Sequence, residues 1–445
     1  MPGDPVREFQ GVLISDGLIQ DIDSAKRLAE KHPEALRVEL ADHLLMPGLI
    51  NLHCHAAMSL LRGVGDDLPL ESWLEERIWP LERELVSEAF VYDGSLLAGI
   101  DMLRSGITTV NDMYFFPDPA IRAMRDAGLR VSAGLIVIDF PSAYATGAAD
   151  YLHKGLATRD QWREDPLVSF CLAPHAPYSV SDPALEQIGI ISAELGVPIH
   201  MHLHETAREV AASLQNHGLR PLQRIARLGL LTPELIAVHA VHLSEGDIAM
   251  MASAGAHVAH CPHSNMKLAS GFAPVAKLLE AGVNIGLGTD GAASNNKLDL
   301  LAEAATAARL AKAIAGDATA FNLQQVVHAL TLGAASALGL QDSIGSIEAG
   351  KQADLVAFEF SGLQSYPCFD PLSHLIYACG REEVSDVWVA GRSVVRMRQP
   401  VSEGFLEHQD RLRSRLTLWQ NQVVSQLNRM NPKLALKSGL RPNAT

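Results

Sequence analysis

Short runs of aliphatic residues recur along most of this chain. Each ends on a polar residue and is followed by a longer stretch with helical spacing of its apolar positions. The runs at 45–53, 108–112, 131–138, 168–173, 199–203, 236–241, 256–261 and 284–288 have the length of strands. Amphipathic stretches lie between them, among them 87–103, 119–127, 183–195, 219–228, 244–254 and 273–281. Strand–helix alternation implies parallel pairing with the helices outside. Eight such units predict an α/β chain closed into a (β/α)8 TIM-like barrel, with its functional groups at the C-terminal ends of the strands.

The two ends of the chain follow another rhythm. Residues 11–41 contain Gly11-Val12-Leu13-Ile14, Asp16-Gly17 and Leu18-Ile19, a hairpin signal. Residues 343–398 carry short strands with turn residues, as in Asp354-Leu355-Val356-Ala357-Phe358 and Val387-Trp388-Val389-Ala390-Gly391. Together they predict one small discontinuous β-sandwich domain. The expected division is 1–47 and 350–402 for that domain, 48–349 for the barrel, and 403–445 for a C-terminal helix and tail. A surface helix is expected over 405–430, and the last dozen residues are expected to be mobile.

Composition narrows the partners. With 445 residues, 48% hydrophobic and only 5% aromatic, the chain can bury a large, mainly aliphatic core. A net charge of −15 argues against a nucleic-acid partner. Cys54, Cys171, Cys261, Cys368 and Cys379 are scattered and form no C-x-x-C pair, which fits a reducing cytoplasm. No basic start leads into an apolar stretch, so no signal peptide is expected. No apolar run reaches about twenty residues, so no membrane partner is expected either.

The candidate chemistry lies where the apolar runs stop. His53 and His55 end the first run, and residues two apart on a strand point to the same side. Alone, such a pair is equally a pair of surface or core histidines. Other runs supply partners: His175, the series His200, His202 and His204, then Glu205, His239, His242 and Asp290. A catalytic metal site pairs about three protein ligands with an open position. His53 and His55 with one more histidine and one carboxylate would satisfy it, and His202 and Asp290 fit. His200 and His204 share strand parity with His202, so spacing leaves them open. No lysine ends the 168–173 strand or the next to bridge a second ion, which favours one metal. Imidazole suits zinc and iron alike. Glu205 could shuttle protons beside the metal, or simply be an acid at a helix start. His239 could orient the water, whereas His242 reads as structural. His257, His260 and His263 form a further patch, expected to be mainly structural. Trp73 reads either as core or as a wall for a flat heterocycle. The H-x-E with P-C-x-x-C pattern of cytidine-type zinc deaminases is absent.

These motifs carry a resemblance. Pro47-Gly48-Leu49-Ile50-Asn51-Leu52-His53-Cys54-His55, Pro174-His175-Ala176-Pro177-Tyr178, His202-Leu203-His204-Glu205-Thr206, Ser264-Asn265-Met266-Lys267-Leu268 and Gly288-Thr289-Asp290-Gly291-Ala292-Ala293-Ser294-Asn295-Asn296 are similar to stretches of the amidohydrolase superfamily. Within it the chain most resembles the 5′-methylthioadenosine/S-adenosylhomocysteine deaminases, in the group that also holds triazine hydrolases and guanine deaminases. The resemblance implies one divalent metal, zinc or iron, on His53, His55, His202 and Asp290. It implies Glu205, His239 and Asp290 as catalytic groups. Trp73, Glu82, His175 and Glu205 would contact the nucleoside, Glu82 at the ribose hydroxyls, where a carboxylate suits a vicinal diol.

The implied reaction is hydrolytic deamination of an adenine nucleoside, by attack of a metal-activated water on C6. The implied partners are a small-molecule nucleoside and further copies of the chain in a homo-oligomer. The alternatives are a guanine, oxidised purine or triazine substrate, or a metal-binding scaffold without catalysis. Two departures stand out. Relatives that bind S-adenosylhomocysteine are expected to carry Arg where this chain has Ala133, and no other Arg lies between Arg130 and Arg159. The N-terminus reads as short by about one strand pair, so either the small domain is trimmed or the chain starts late.

Overall fold

The eight predicted strands form one parallel sheet wrapped nearly into a barrel. The structure is a computed structural model and describes residues 6–430. In chain order the strands are β1 (Gln10–Ser15), β2 (Leu18–Ser24), β3 (His43–Pro47), β4 (Leu49–Cys54), β5 (Ile107–Tyr114), β6 (Arg130–Val137), β7 (Val168–Pro174), β8 (Ile199–Leu203), β9 (Leu235–His239), β10 (His257–His260), β11 (Asn284–Leu287), β12 (Leu355–Glu359), β13 (Val384–Val389), β14 (Arg392–Arg396) and β15 (Gln399–Pro400). Strands β4 to β11 run side by side in sequence order. Nearly every residue of β4, β5 and β6 is buried, because inner side chains fill the barrel and outer ones meet helices. That double burial is why these segments read as unbroken apolar runs.

Between β11 and β4 the barrel is fastened by individual hydrogen bonds rather than by a ladder. Asn51 Nδ2 donates to Thr289 Oγ1 (2.8 Å), and Thr289 N donates to Asn51 Oδ1 (2.9 Å). Just above them Asp290 N donates to His53 O (3.0 Å). Gly288 makes this approach possible: a Cβ there would lie 2.9 Å from both Cβ and N of His53.

The run expected as one strand over 45–53 is two strands in different sheets. β3 pairs with β12, and β4 pairs with β5. The change falls at Pro47-Gly48. Gly48 passes so close to β5 that a Cβ would overlap Thr108, 2.1 Å from its Oγ1. The small domain combines the β1–β2 hairpin with a five-stranded sheet in the order β15-β14-β13-β12-β3. Asp16 and Gly17 turn the hairpin, both with positive φ (53° and 80°), as a tight two-residue turn requires. Val12, Ile14 and Ile22 of the hairpin pack with Leu355 and Trp388 of the larger sheet. A buried clasp joins the small domain to the barrel. Arg130 Nε and Nη2 donate to Asp354 Oδ2 (2.8 Å) and Oδ1 (3.1 Å).

The helix expected over 405–430 spans Glu403–Met430. It is pinned where Trp419 Nε1 donates to Asp93 Oδ2 (2.8 Å) and Arg415 pairs with Asp93 Oδ1 (2.7 Å). The final dozen residues, expected to be mobile, lie outside the described residues.

Candidate metal and catalytic site

Five side chains meet over the C-terminal mouth of the barrel. The possible ligand atoms of His53, His55 and His202 lie within 4.8 Å of one another, as do those of His53, His239 and Asp290. Nε2 of His53 and Nε2 of His55 each stand 3.3 Å from Asp290 Oδ1. Four strand ends thus deliver one cluster: β4, β8, β9 and β11. Backbone distortion helps aim it. His204, His239, Ala240 and Asp290 all adopt positive φ (57°, 70°, 49° and 59°), a conformation costly for residues with a Cβ and one that persists where the surroundings over-determine it.

The far nitrogen of each ring sets what the near one can do. His55 Nδ1 donates to Met113 O (2.6 Å), and His202 Nδ1 donates to His175 O (2.7 Å). A carbonyl only accepts, so both rings carry a proton on Nδ1, and in the neutral form each turns a bare Nε2 inward. His239 Nδ1 donates to Asn265 Oδ1 (2.8 Å), which in the neutral ring leaves Nε2 bare as well. Burial pushes His53 down to about 3 and His202 well below the ordinary imidazole range, so these rings stay neutral. His53 Nε2 is buried and makes no well-aligned hydrogen bond among the described residues, although Asp290 Oδ1 stands 3.3 Å away. Imidazole nitrogens converging on one carboxylate oxygen, with His53 and His202 held neutral, fit a divalent metal.

Asp290 is held from both sides. Ser264 Oγ and Ser294 Oγ donate to its Oδ2 (2.6 and 2.8 Å), and Gly291 N donates to its Oδ1 (2.8 Å). Burial would raise its pKa, but His53 close by, with His55 and His239, holds it well below the usual carboxylate range. Only Oδ1 therefore faces the cluster. Ser264, Ser294 and Asn265 have no role in the sequence reading. Their one signal was their place inside the Ser264–Leu268 and Gly288–Asn296 motifs.

Glu205 does not start a helix. Thr206 caps the helix Ala207–His217, and Glu209 Oε1 and Oε2 accept from His204 N (2.9 Å) and Glu205 N (2.8 Å). The Glu205 side chain instead accepts from Ser270 Oγ (3.3 Å) and approaches His239 Nε2 to 3.8 Å. Burial raises its pKa, with His239 opposing and Asp290 adding to the rise.

The other histidines separate by partner. His204 is turned away from the cluster, its Nδ1 on His242 O (3.1 Å) and its Nε2 accepting from Leu222 N (3.0 Å). His200 lies beneath His53, Nε2 to Nδ1 at 3.0 Å. His242 bonds Ser270 O (2.7 Å). His257 pairs with Asn284 (2.8 Å), and His263 is fixed between Glu303 (2.8 Å) and Thr306 (2.8 Å).

Of the expected nucleoside contacts, His175 stands beside the cluster. His175 follows β7, its Nδ1 on Ser179 Oγ (2.9 Å) and its ring centre 4.9 Å from that of His202. Glu82, on the helix Trp79–Leu85, accepts from Tyr114 Oη (2.6 Å), and burial pushes it up to about 7. Trp73 is only 4% exposed, its Nε1 donating to Val64 O (3.2 Å). Ala133 sits buried in β6. Lys154, the one lysine or arginine between Val131 and Thr158, is engaged by Tyr144 O (2.7 Å) and Asp150 (3.1 Å). Among the described residues no helix is long and apolar enough to cross a membrane.

A nearly closed eight-stranded barrel with a histidine–aspartate cluster at its mouth and a small β domain beside it defines a class of metal-site barrel proteins. Residues 44–394 match the amidohydrolase family, and the chain belongs to it. A 5-methylthioadenosine/S-adenosylhomocysteine deaminase from Teredinibacter turnerae is 47% identical over 387 residues, 87% of this chain and 88% of that one. A protein of the same name from Saccharophagus degradans is 45% identical and covers 94% of this chain and 93% of its own. The crystal structure of an adenosine deaminase from Xanthomonas campestris with bound zinc has a TM-score of 0.89 and 44% identity, covering 94% of each chain. Atrazine chlorohydrolase from Arthrobacter aurescens shares the fold (TM-score 0.85, 23% identity, 92% of this chain and 94% of that one).

Proposed function

We propose that this chain is a metal-dependent aminohydrolase that converts 5′-methylthioadenosine to its inosine analogue and ammonia. The names of its relatives support the substrate class, and the convergence of imidazole nitrogens on Asp290 supports the metal. One divalent ion, zinc, would be held by His53, His55, His202 and Asp290. The chemistry it supplies when bound is Lewis acidity, which makes water nucleophilic at neutral pH.

The chain's own groups do the rest. Glu205 takes the proton of the attacking water and delivers it to N1 of the adenine ring. Its buried, raised carboxyl suits both halves of that exchange. His239, its proton fixed on Nδ1 by Asn265, offers Nε2 to the water and orients it for attack at C6. Asp290 accepts through Oδ1 alone, because two serine hydroxyls occupy Oδ2, and any proton it passes to the departing ammonia travels on that oxygen. Glu82 would bind the ribose hydroxyls through Oε2, with Oε1 taken by Tyr114. Trp73 packs in the same apolar cluster as Leu81, next to Glu82, and would complete that wall of the pocket. His175 would close the side beside His202. A scaffold without catalysis would have no use for a buried carboxyl such as Glu205, which among the described residues caps no helix and pairs with no cation outside the cluster.

The single observation that carries the reading is the fixed orientation of His55 and His202, each Nδ1 on a carbonyl and each Nε2 turned to the same point. The experiment is ammonia release by the zinc-loaded protein from 5′-methylthioadenosine, adenosine, guanine and a chlorotriazine. Turnover of the adenine nucleosides is expected. Turnover of guanine or the triazine alone would overturn the proposal.

A further inference from the structure

His200 is a fully buried histidine that the mechanism above does not use. It sits on β8 two residues before His202, so both face the barrel interior, with His200 one layer deeper. Its Nε2 is 3.0 Å from His53 Nδ1, and the two ring centres are 4.9 Å apart at 70°. Its own Nδ1 has no hydrogen-bond partner among the described residues.

Two proton arrangements satisfy this bond. In one, His200 Nε2–H donates to His53 Nδ1. A neutral His53 then carries its proton on Nε2 and cannot ligate. In the other, His53 Nδ1–H donates to His200 Nε2, and His53 Nε2 is bare. For His55 and His202 a backbone carbonyl enforces the bare Nε2. His53 has no carbonyl in that place, and the acceptor must be another imidazole.

We propose that His200 is a positioning residue: it accepts the Nδ1–H of His53 and so holds the His53 Nε2 lone pair open toward the metal. The inference rests on the metal reading given above. It makes metal affinity depend on the tautomer of a residue that never touches the metal. Partners of this kind are worth roughly 10–100-fold in metal affinity.

The test is Zn2+ affinity of the metal-free full-length protein, measured by chelator competition, for wild type, H200Q and H200L. The Gln side chain places an amide oxygen where His200 Nε2 stands, whereas Leu fills the space without an acceptor. A dissociation constant raised about 10–100-fold in H200L, with H200Q less than about tenfold from wild type, is expected. Equal weakening in both variants would assign His200 to packing and overturn the proposal. So would H200L within about tenfold of wild type. If H200L does not fold, 15N NMR of histidine-labelled, Zn2+-loaded wild type decides. Protonated Nδ1 on both His53 and His200 is expected, and a proton on His200 Nε2 overturns the assignment. A wild type that binds no Zn2+ overturns the metal reading, and this inference with it.

Discussion

Glu205→Gln separates proton transfer from everything else the site does. The amide keeps the size of the side chain and can still accept from Ser270 Oγ, which now lies 3.3 Å from Oε1. It cannot take a proton from water. The start of the following helix is untouched, because Glu209 and Thr206 do the capping there. Removing a buried carboxyl near Asp290 also removes a desolvation cost, so thermal stability is expected to hold or rise. Loss of a positioned general acid–base costs about 10²–10⁴ in rate. That range corresponds to about 2.7–5.4 kcal/mol in the barrier. The expected outcome is a fall in kcat of that size, with zinc content unchanged, in an assay that follows conversion of adenine to hypoxanthine by absorbance. A kcat within about tenfold of wild type would show that His239 or Asp290 alone moves the protons, and the reasoning would be refuted. Loss of the metal would refute it differently, by making Glu205 a ligand.

His202→Ala should abolish zinc binding, measured as metal per chain after dialysis, and full occupancy would remove His202 from the ligand set. With Ala133 in β6 and Lys154 already engaged, a substrate carboxylate lacks a bidentate partner, so kcat/KM should favour 5′-methylthioadenosine over S-adenosylhomocysteine by about tenfold or more. Equal values would mean that a cation reaches the site from elsewhere, for instance from a neighbouring subunit. Asp354→Ala leaves Arg130 buried beside the small domain without its carboxylate and should cost about 3–5 kcal/mol in denaturant unfolding. A loss below about 1 kcal/mol would show that water reaches the guanidinium.

Much of this was legible because parallel strands buried on both faces leave unbroken apolar runs, and because barrel chemistry gathers where those runs end. His53, His55 and Asp290 could be located that way. The series His200, His202 and His204 could not be resolved, since all three share one parity. The structure separates them by depth and by the positive φ of His204, which turns that ring toward Leu222 and His242. Glu205 could be mistaken for a helix-start acid because the residue in that role, Glu209, lies only four positions on. The roles of Ser264, Ser294 and Asn265 were not legible beyond their place inside quoted motifs. Serine and asparagine serve too many ends for their identity to mark a partner of Asp290 or His239. The split at Pro47-Gly48 was hidden for another reason: both strands are apolar, and only their different partners, β12 and β5, set them apart.

The unladdered join between β4 and β11 has a bearing on how the protein is made. Asn51 and Thr289 are separated by 238 positions, so during synthesis the first strand waits for most of the barrel before it meets the last. His53, His55 and Asp290 lie on opposite banks of that join, and an ion bound by all three would bridge it. A chain shorter than Asp290 lacks one bank altogether, and a chain with the join open holds its ligands apart. Metal uptake would therefore come after barrel closure. Because the ion would bind the closed form and not the open one, free metal would shift the balance toward closure by mass action. Metal would then add to the stability of the closed barrel before any substrate is met.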